Sequence, residues 1–239
     1  MRKDHRPYYL KKLNTQIQNL YVKHFIKPQL SYLGTGFTFM KPWQVKVFGS
    51  PIHIGKFATL IASSDNKIRL SVWSNSPDKG SIHIGNYCMI CPGVRIGSAE
   101  QIRIGNNCMI ASNSYIADSD WHDIYNRIEM GKTAPVSIAD NVWVGEGAIV
   151  CKGVSIGENS IIGAGAVVVS DIPPNCISAG NPARIVKHLD PNEKMTTRAH
   201  FFKNQEKLFQ DFDKFDRVLL EKNSLIQWLR HMVFPGKND

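Results

Sequence analysis

Between Ile84 and Val168 an aliphatic side chain returns every six residues. Ile84, Ile90, Ile96 and Ile102 open the series, and two residues later a second frame gives Ile104, Ile110 and Ile116. After a gap, Ile138, Val144, Val150, Ile156, Ile162 and Val168 run without interruption. Glycine follows the aliphatic residue at positions 85, 97, 105, 145, 157 and 163. Small or β-branched residues sit four places after it, at Cys88, Val94, Cys108, Ser114, Val142, Ala148, Val154, Ser160 and Ala166. Ile54-Gly55, Ala58 and Leu60 give a fainter start to the same pattern. A period of six is neither the 2 of a strand nor the 3.6 of a helix. It fits a short strand plus a tight turn, with three such units in each triangular coil. The aliphatic residue then points inward, the glycine relieves crowding or takes a turn conformation closed to other residues, and the small residue fills the remaining interior. Such coils bury one another only when stacked. The pattern therefore predicts a mainly β chain whose core is a narrow prism. It also accounts for Cys88-x-x-Cys91 without a metal or a redox couple, because Cys88 and Cys108 both take the small interior position.

The repeat resembles that of the hexapeptide-repeat acyltransferases, over about residues 50–187. The stretch Asn141 to Lys187, "NVWVGEGAIVCKGVSIGENSIIGAGAVVVSDIPPNCISAGNPARIVK", is similar to the closing coils of the branch that holds galactoside, maltose and polysaccharide O-acetyltransferases. The resemblance implies a left-handed parallel β-helix, a homotrimer, and acetyl-CoA lying between neighbouring helices, with no metal.

The gap carries the candidate chemistry. A coil of eighteen residues counted from Ile104 ends at Trp121, yet the frame resumes only at Ile138, so sixteen residues are inserted, beginning with His122. A β-helix tolerates an insertion where a turn can bulge outward as a surface loop. His122 is the sole histidine between residues 84 and 187. Acetyl transfer from a thioester to a hydroxyl needs a base, and histidine, with an ordinary pKa of about 6.5, suits that role near neutrality. The segment Ser119-Asp120-Trp121-His122-Asp123-Ile124 matches the SD-x-H-x-I form in which the family carries its catalytic histidine. A carboxylate or a backbone carbonyl should hold the second ring nitrogen, and Asp120 and Asp123 are the nearby carboxylates.

For acetyl-CoA the resemblance implies further residues. Trp143 points outward, either to pack between subunits or to wall the acceptor or pantetheine, and Gly145 stands beside it. Gly163-Ala164-Gly165 forms a turn whose backbone could meet the pantetheine amides. Arg184 and Lys187 match positions where relatives place cations near nucleotide phosphates. Two departures matter: Cys91 falls where the galactoside and maltose branch has asparagine, and Val169 falls where it often has threonine. The loop motif instead leans toward a polysaccharide or glycolipid acceptor.

Net charge is +9, and residues 1–42 hold eight Lys/Arg against one acid. Residues 7–27 read as a helix, from Pro7 through Leu10, Leu13, Ile17, Leu20 and His24, ending before Pro28. With Lys11, Lys12, Lys23 and Lys27 beside that apolar stripe, residues 1–27 either cap the prism or contact an anionic membrane peripherally. Asp190-Pro191-Asn192-Glu193 reads as a helix start. Leu208, Phe212, Phe215 and Leu219 mark one later helical stripe, and Leu225, Trp228, Leu229, Met232 and Val233 another. Three segments follow: a basic helical 1–42, a β-helix 43–187 and a helical 188–239.

Five cysteines, no apolar run of about 20 residues and no signal-peptide pattern set the expectation of a cytoplasmic protein, with a peripheral position at the inner membrane face open to it. No nucleic-acid partner is expected. The expected activity is transfer of acetyl from acetyl-CoA to a hydroxyl of a bacterial surface saccharide or its lipid-linked precursor. Alternatives are N-acetylation of an amino sugar, a zinc carbonic anhydrase using His53 and His83, or a silent trimeric scaffold.

Overall fold

The computed structural model describes residues 4–74, 78–234 and 236. Short strands wind through three sheets in rotation as far as Val167–Val168, after which the last two strands both join the second sheet. The first sheet holds Tyr32–Leu33, Ile52–Ile54, Ile82–Ile84, Ile102–Ile104, Val136–Ile138 and Ser155–Ile156. The second holds Thr38–Met40, Thr59–Ile61, Met89–Ile90, Met109–Ile110, Trp143–Val144, Ile161–Ile162, Cys176–Ala179 and Arg184–His188. The third holds Val45–Phe48, Ile68–Val72, Arg95–Ser98, Tyr115–Ala117, Ile149–Val150 and Val167–Val168. All pairs are parallel except the last, where Arg184–His188 turns back antiparallel on Cys176–Ala179. This is a parallel β-helix, as the resemblance implies, with the triangular coils that the six-residue period predicts.

The period works because it returns each aliphatic side chain to the same column. Ile54, Ile84, Ile104, Ile138 and Ile156 are in register on the first sheet, and all are buried. Burying one such side chain is worth about 1.5–3 kcal/mol, so stacked columns hold a prism that no single coil could hold alone. Cys88 and Cys108 are fully buried in the same core.

The glycine after the aliphatic residue serves clearance rather than turning. A Cβ on Gly145 would lie 2.6 Å from the Ala164 nitrogen and the Ile162 oxygen, both backbone atoms of the next coil. The left-handed turn falls two positions later. At the corner between the first and second sheets it is taken by Asn107, Asn141, Asn159 and Asn175, at φ 62°, 58°, 59° and 55°, since asparagine tolerates that region. Their side chains add a ladder up the corner: the Asn141 amide donates to Asn159 at 2.9 Å, and Asn159 to Asn175 at 3.0 Å.

The expected segment boundaries change. Coils begin at Tyr32 rather than after residue 42, because Tyr32–Leu33, Thr38–Met40 and Val45–Phe48 each pair with the following coil. The N-terminal α-helix is Tyr8–Tyr21, and a wider turn, Val22–Ile26, follows it where 7–27 was read as one helix. Val22, Ile26 and Leu30 are buried in the β-helix core, so this turn caps the prism. Asp190 to Glu193 is a turn, with Asp190 accepting the Asn192 amide at 2.9 Å, not a helix start. Beyond it the chain straps the second sheet: the Arg198 guanidinium donates to the Tyr87 carbonyl at 2.8 Å, and Asn107 accepts the Ala199 amide at 2.8 Å.

The contacts divide the chain into Tyr21–His200 and a second unit of Met1–Leu20 with Phe201–Asp239. The two termini thus share one helical unit, where two separate segments were expected. In it Lys11 pairs with Asp216 at 2.6 Å and Lys12 with Asp213 at 3.8 Å. Tyr8 also donates to Asp213. A capping box starts the helix Leu225–Val233, with Ser224 and Gln227 as its members. Leu13, Ile17, Phe215, Leu219 and Ile226 are exposed on this unit. Among the described residues no helix is long and apolar enough to cross a membrane.

Candidate active site

Ile104 pairs with Ile138, 34 positions on, whereas Ile138 pairs with Ile156, 18 on. The surplus chain leaves at the corner between the third and first sheets and folds back on itself. Asp120 N donates to Lys132 O at 3.1 Å, Asp123 N to Glu129 O at 3.0 Å, and Ala134 N to Asp118 O at 3.0 Å. A Cβ on Gly131 would overlap the His122 backbone, so only glycine lets the two limbs close here. At the tip Tyr125 is 95% and Ile128 93% exposed.

The base of the loop is held by a residue that the period alone does not single out. Asp118 is fully buried. Its carboxylate accepts from Ser98 Oγ at 2.7 Å, Ala99 N at 2.6 Å and Glu100 N at 3.0 Å. A polar group can be buried when hydrogen bonds replace its water, as here. Trp121 adopts φ 60°, which costs a bulky residue on the order of 1–2 kcal/mol. Its indole Nε1 donates to Tyr115 Oη at 2.8 Å. The ring lies over Gly97, where a Cβ would come within 3.1 Å of it.

His122 follows Trp121 and is exposed. Its Nδ1 lies 2.9 Å from the Arg127 carbonyl oxygen. Neither expected aspartate touches the ring. Asp120 is taken by Lys152 at 2.7 Å. Asp123 accepts the Tyr125 and Asn126 amides, each at 2.9 Å, and those backbone bonds, Asn126 first, hold it below the ordinary carboxylate range. The tip of the loop curls around Asp123, and that curl carries the Arg127 carbonyl to the imidazole. The sequence alternatives included a backbone carbonyl, and the geometry selects it over both carboxylates.

The candidate cofactor residues lie elsewhere on the prism. Trp143 is 46% exposed on the outer face of the second sheet. Lys187 is on the same outward row, reached through Ile161 and Ile177. Arg184 is exposed on that strand, opposite Ala179. Gly163-Ala164-Gly165 makes the corner between the second and third sheets, where a Cβ on Gly165 would meet open space. Gly145 is buried between coils, where it gives clearance to the backbone of the next coil. Val169, 54% exposed, stands apart from this group, at the corner from which the loop leaves. Within one chain, then, His122 and the Trp143–Lys187 group occupy different corners.

A cavity of about 370 Å³ opens on the outer face of the third sheet, walled by Trp73, Tyr115 and Trp121 and floored by Gly97, with Arg69 and Arg95 at its side. Sequence periodicity missed it, because its lining comes from outward positions that carry no repeat. His53 and His83 stack 4.5 Å apart on the first sheet, but among the described residues no group of three His, Cys, Asp or Glu could hold a metal.

Residues 135–170 match the family model described as bacterial transferase hexapeptide (six repeats). The chain is 33% identical over 147 residues to galactoside O-acetyltransferase of Escherichia coli strain K12, covering 62% of this chain and 59% of that protein. It is 47% identical over 70 residues to 2,3,4,5-tetrahydropyridine-2,6-dicarboxylate N-acetyltransferase of Alkaliphilus metalliredigens, covering 29% of this chain and 30% of that protein. The chain thus spans less than two thirds of the length of these curated relatives. In fold it resembles a mutant of AntD, an N-acyltransferase from Bacillus cereus crystallised with dTDP and coenzyme A, at a TM-score of 0.53 and 19% identity over 82% of this chain and 95% of that one. The repeat, the coils and these relatives are those of hexapeptide-repeat transferases, which this chain resembles. Within that class, the relatives named above that this chain resembles in sequence are acetyltransferases.

Proposed function

We propose that the protein transfers acetyl from acetyl-CoA to a saccharide hydroxyl, with His122 as general base. The observation that carries this is the 2.9 Å contact between His122 Nδ1 and the Arg127 carbonyl. A carbonyl oxygen can only accept, so Nδ1 holds the proton and Nε2 presents its lone pair. Nε2 then takes the proton from the acceptor hydroxyl as its oxygen attacks the thioester carbonyl carbon. The C–S bond breaks, and the imidazolium returns the proton to the departing thiolate. Asp120 and Asp123 shape the loop rather than the ring.

The reading includes a homotrimer with acetyl-CoA between copies. Its support is that one chain holds His122 at one corner and Trp143, the 163–165 turn, Arg184 and Lys187 around another. A second copy would bring the two together, and the exposed Tyr125 and Ile128 give the loop an apolar tip to seat on it. The open backbone of the 163–165 turn suits pantetheine, and the two exposed cations suit phosphate. Amine acetylation by the same base is the second reading, favoured by the N-acetyltransferase relative. We further propose a cytoplasmic enzyme docked on an anionic membrane face. Support comes from the exposed apolar residues of the helical unit. Because Lys11 and Lys12 are held by Asp216 and Asp213, apolar insertion would carry more of that binding than charge. Residues 1–3 of the basic segment lie outside the described residues.

Release of free thiol from acetyl-CoA, screened against sugar hydroxyl and amine acceptors, tests the activity. His122→Ala should lower it about 10²–10⁴-fold, the contribution of a positioned base. Unchanged turnover would remove His122 from the chemistry.

A further inference from the structure

The outer face of the third sheet carries a column of cations. Lys46 is in register with Arg69, Arg69 with Arg95, and Arg95 with Tyr115. Adjacent strands lie about 4.8 Å apart, so three positive side chains rise from roughly 10 Å of sheet. Like charges directly opposite on neighbouring strands oppose folding. Among the described residues no ion pair relieves them. The one contact the column makes within itself is the Arg95 guanidinium, 4.5 Å above the Tyr115 ring, which orients that arginine without neutralising it. Residues 43–187 hold twelve Lys/Arg against eleven acids, so the column is a local concentration, not the overflow of a basic domain.

The column borders the 370 Å³ cavity, which falls within the roughly 300–1,000 Å³ of small-molecule sites. Trp73, Tyr115 and Trp121 line it, and the Phe48–Trp73 stack, with centroids 4.2 Å apart, extends the aromatic surface toward Lys46. Trp121 is held by its bond to Tyr115 and by the missing side chain at Gly97. Rigid aromatic faces suit the apolar face of a pyranose ring, and guanidinium forks suit a carboxylate or phosphate attached to it.

We propose that this groove binds a saccharide bearing an anionic group, with Arg69 and Arg95 holding the anion, Trp73 and Trp121 holding the ring, and Lys46 receiving the next charge along the chain. The inference rests on the acetyl-transfer reading in one respect: the saccharide is taken as the acceptor of that reaction, since Trp121 lines the cavity and stands one residue before His122 of the same loop. The anion can be a sugar carboxylate or a phosphate, and the shared chemistry is a negative charge fixed to a pyranose.

Binding is measured without acetyl-CoA, by tryptophan fluorescence and calorimetry on the full chain, so the result does not depend on catalysis. The probes are tetragalacturonate, UDP-glucose and neutral maltotetraose. At low salt one or both anionic probes should bind at least about tenfold tighter than maltotetraose, and that preference should shrink as salt rises. Binding of tetragalacturonate alone marks a carboxylate site, of UDP-glucose alone a phosphate site, and of both a site that reads charge. Arg69→Gln should cost about tenfold toward the anionic probe and leave the neutral one unchanged, the scale of one charge-assisted hydrogen bond. Lys46→Gln, at the open end, should cost less and guards against a folding defect in the first variant. His122→Ala should bind like the parent, so loss of turnover there with binding retained leaves both readings standing. Absence of activity in the parent with anionic binding retained sinks only the acetyl-transfer reading. Equal binding of all three probes, or binding of none, overturns the groove.

Discussion

From Ile138 to Val168 and from Asp118 to Pro135 the same chain solves two different problems. In the first stretch inward aliphatic residues repeat and the strand residues stack in register from coil to coil. Trp143 follows Met109, and Ile161 follows Trp143, in register. In the second stretch nothing repeats. It is held instead by single contacts: Asp118 on Ser98, Ala99 and Glu100, Trp121 on Tyr115, and Asp120 on Lys152. The coils draw stability from many equivalent apolar contacts, so no one of them has a special geometry. The loop depends on a few polar contacts of exact placement, and it can therefore hold one imidazole in one tautomer. Repetition makes a scaffold, and the interruption makes the candidate site.

The largest effect on stability should come from Asp118→Ala. Three donors lose a buried acceptor, two of them backbone amides, for a cost of about 3 kcal/mol or more. Denaturant melts should show it. If the variant unfolds like the parent, the loop base does not depend on that carboxylate.

Next come two glycines of the same coils. Gly145→Ala puts a Cβ 2.6 Å from backbone atoms of the next coil, and overpacking of this kind costs about 1–3 kcal/mol. Gly165 has φ 67° and open space around it, so Gly165→Ala should cost only the left-handed penalty of about 1 kcal/mol. Equal thermal shifts in the two variants would erase the distinction between clearance and turning.

The contrast also explains what could be read from sequence. The coils were legible because identical environments select identical residue types: Ile104, Ile138 and Ile156 repeat a column, and Cys88 and Cys108 declare themselves small interior residues by position. The loop was legible only by its interruption and its histidine. That Arg127 rather than Asp120 or Asp123 faces the ring was not, because a backbone carbonyl leaves no mark on residue identity. Asp118 falls on a position where the repeat asks only for a corner residue, and its burial depends on three donors from the preceding coil. Arg69 and Arg95 lie 26 residues apart in sequence, off the eighteen-residue period, and adjoin only in the folded sheet. The helical unit was missed as one body because its parts stand at opposite ends of the chain.

The smallest effect concerns pH. Burial, then the neighbouring His53 and Arg103, lowers the pKa of His83 below its ordinary 6.5. The unfolded chain therefore binds that proton more readily than the folded one. The stability that neutral His83 contributes is present above about pH 6.5 and is lost as pH falls toward its folded pKa. The thermal midpoint should drop as pH is lowered from neutral through that range, and by less in His83→Asn. Identical pH slopes would show that the stacked pair does not matter to folding.

The central claim is tested most directly by the tautomer of His122. Nitrogen-15 NMR of histidine-labelled protein at neutral to alkaline pH, with the signal assigned by its loss in His122→Ala, reads which ring nitrogen carries the proton. The Arg127 contact predicts a protonated Nδ1 and a bare Nε2, the form able to take a proton from an acceptor. A protonated Nε2 with a bare Nδ1 would contradict it.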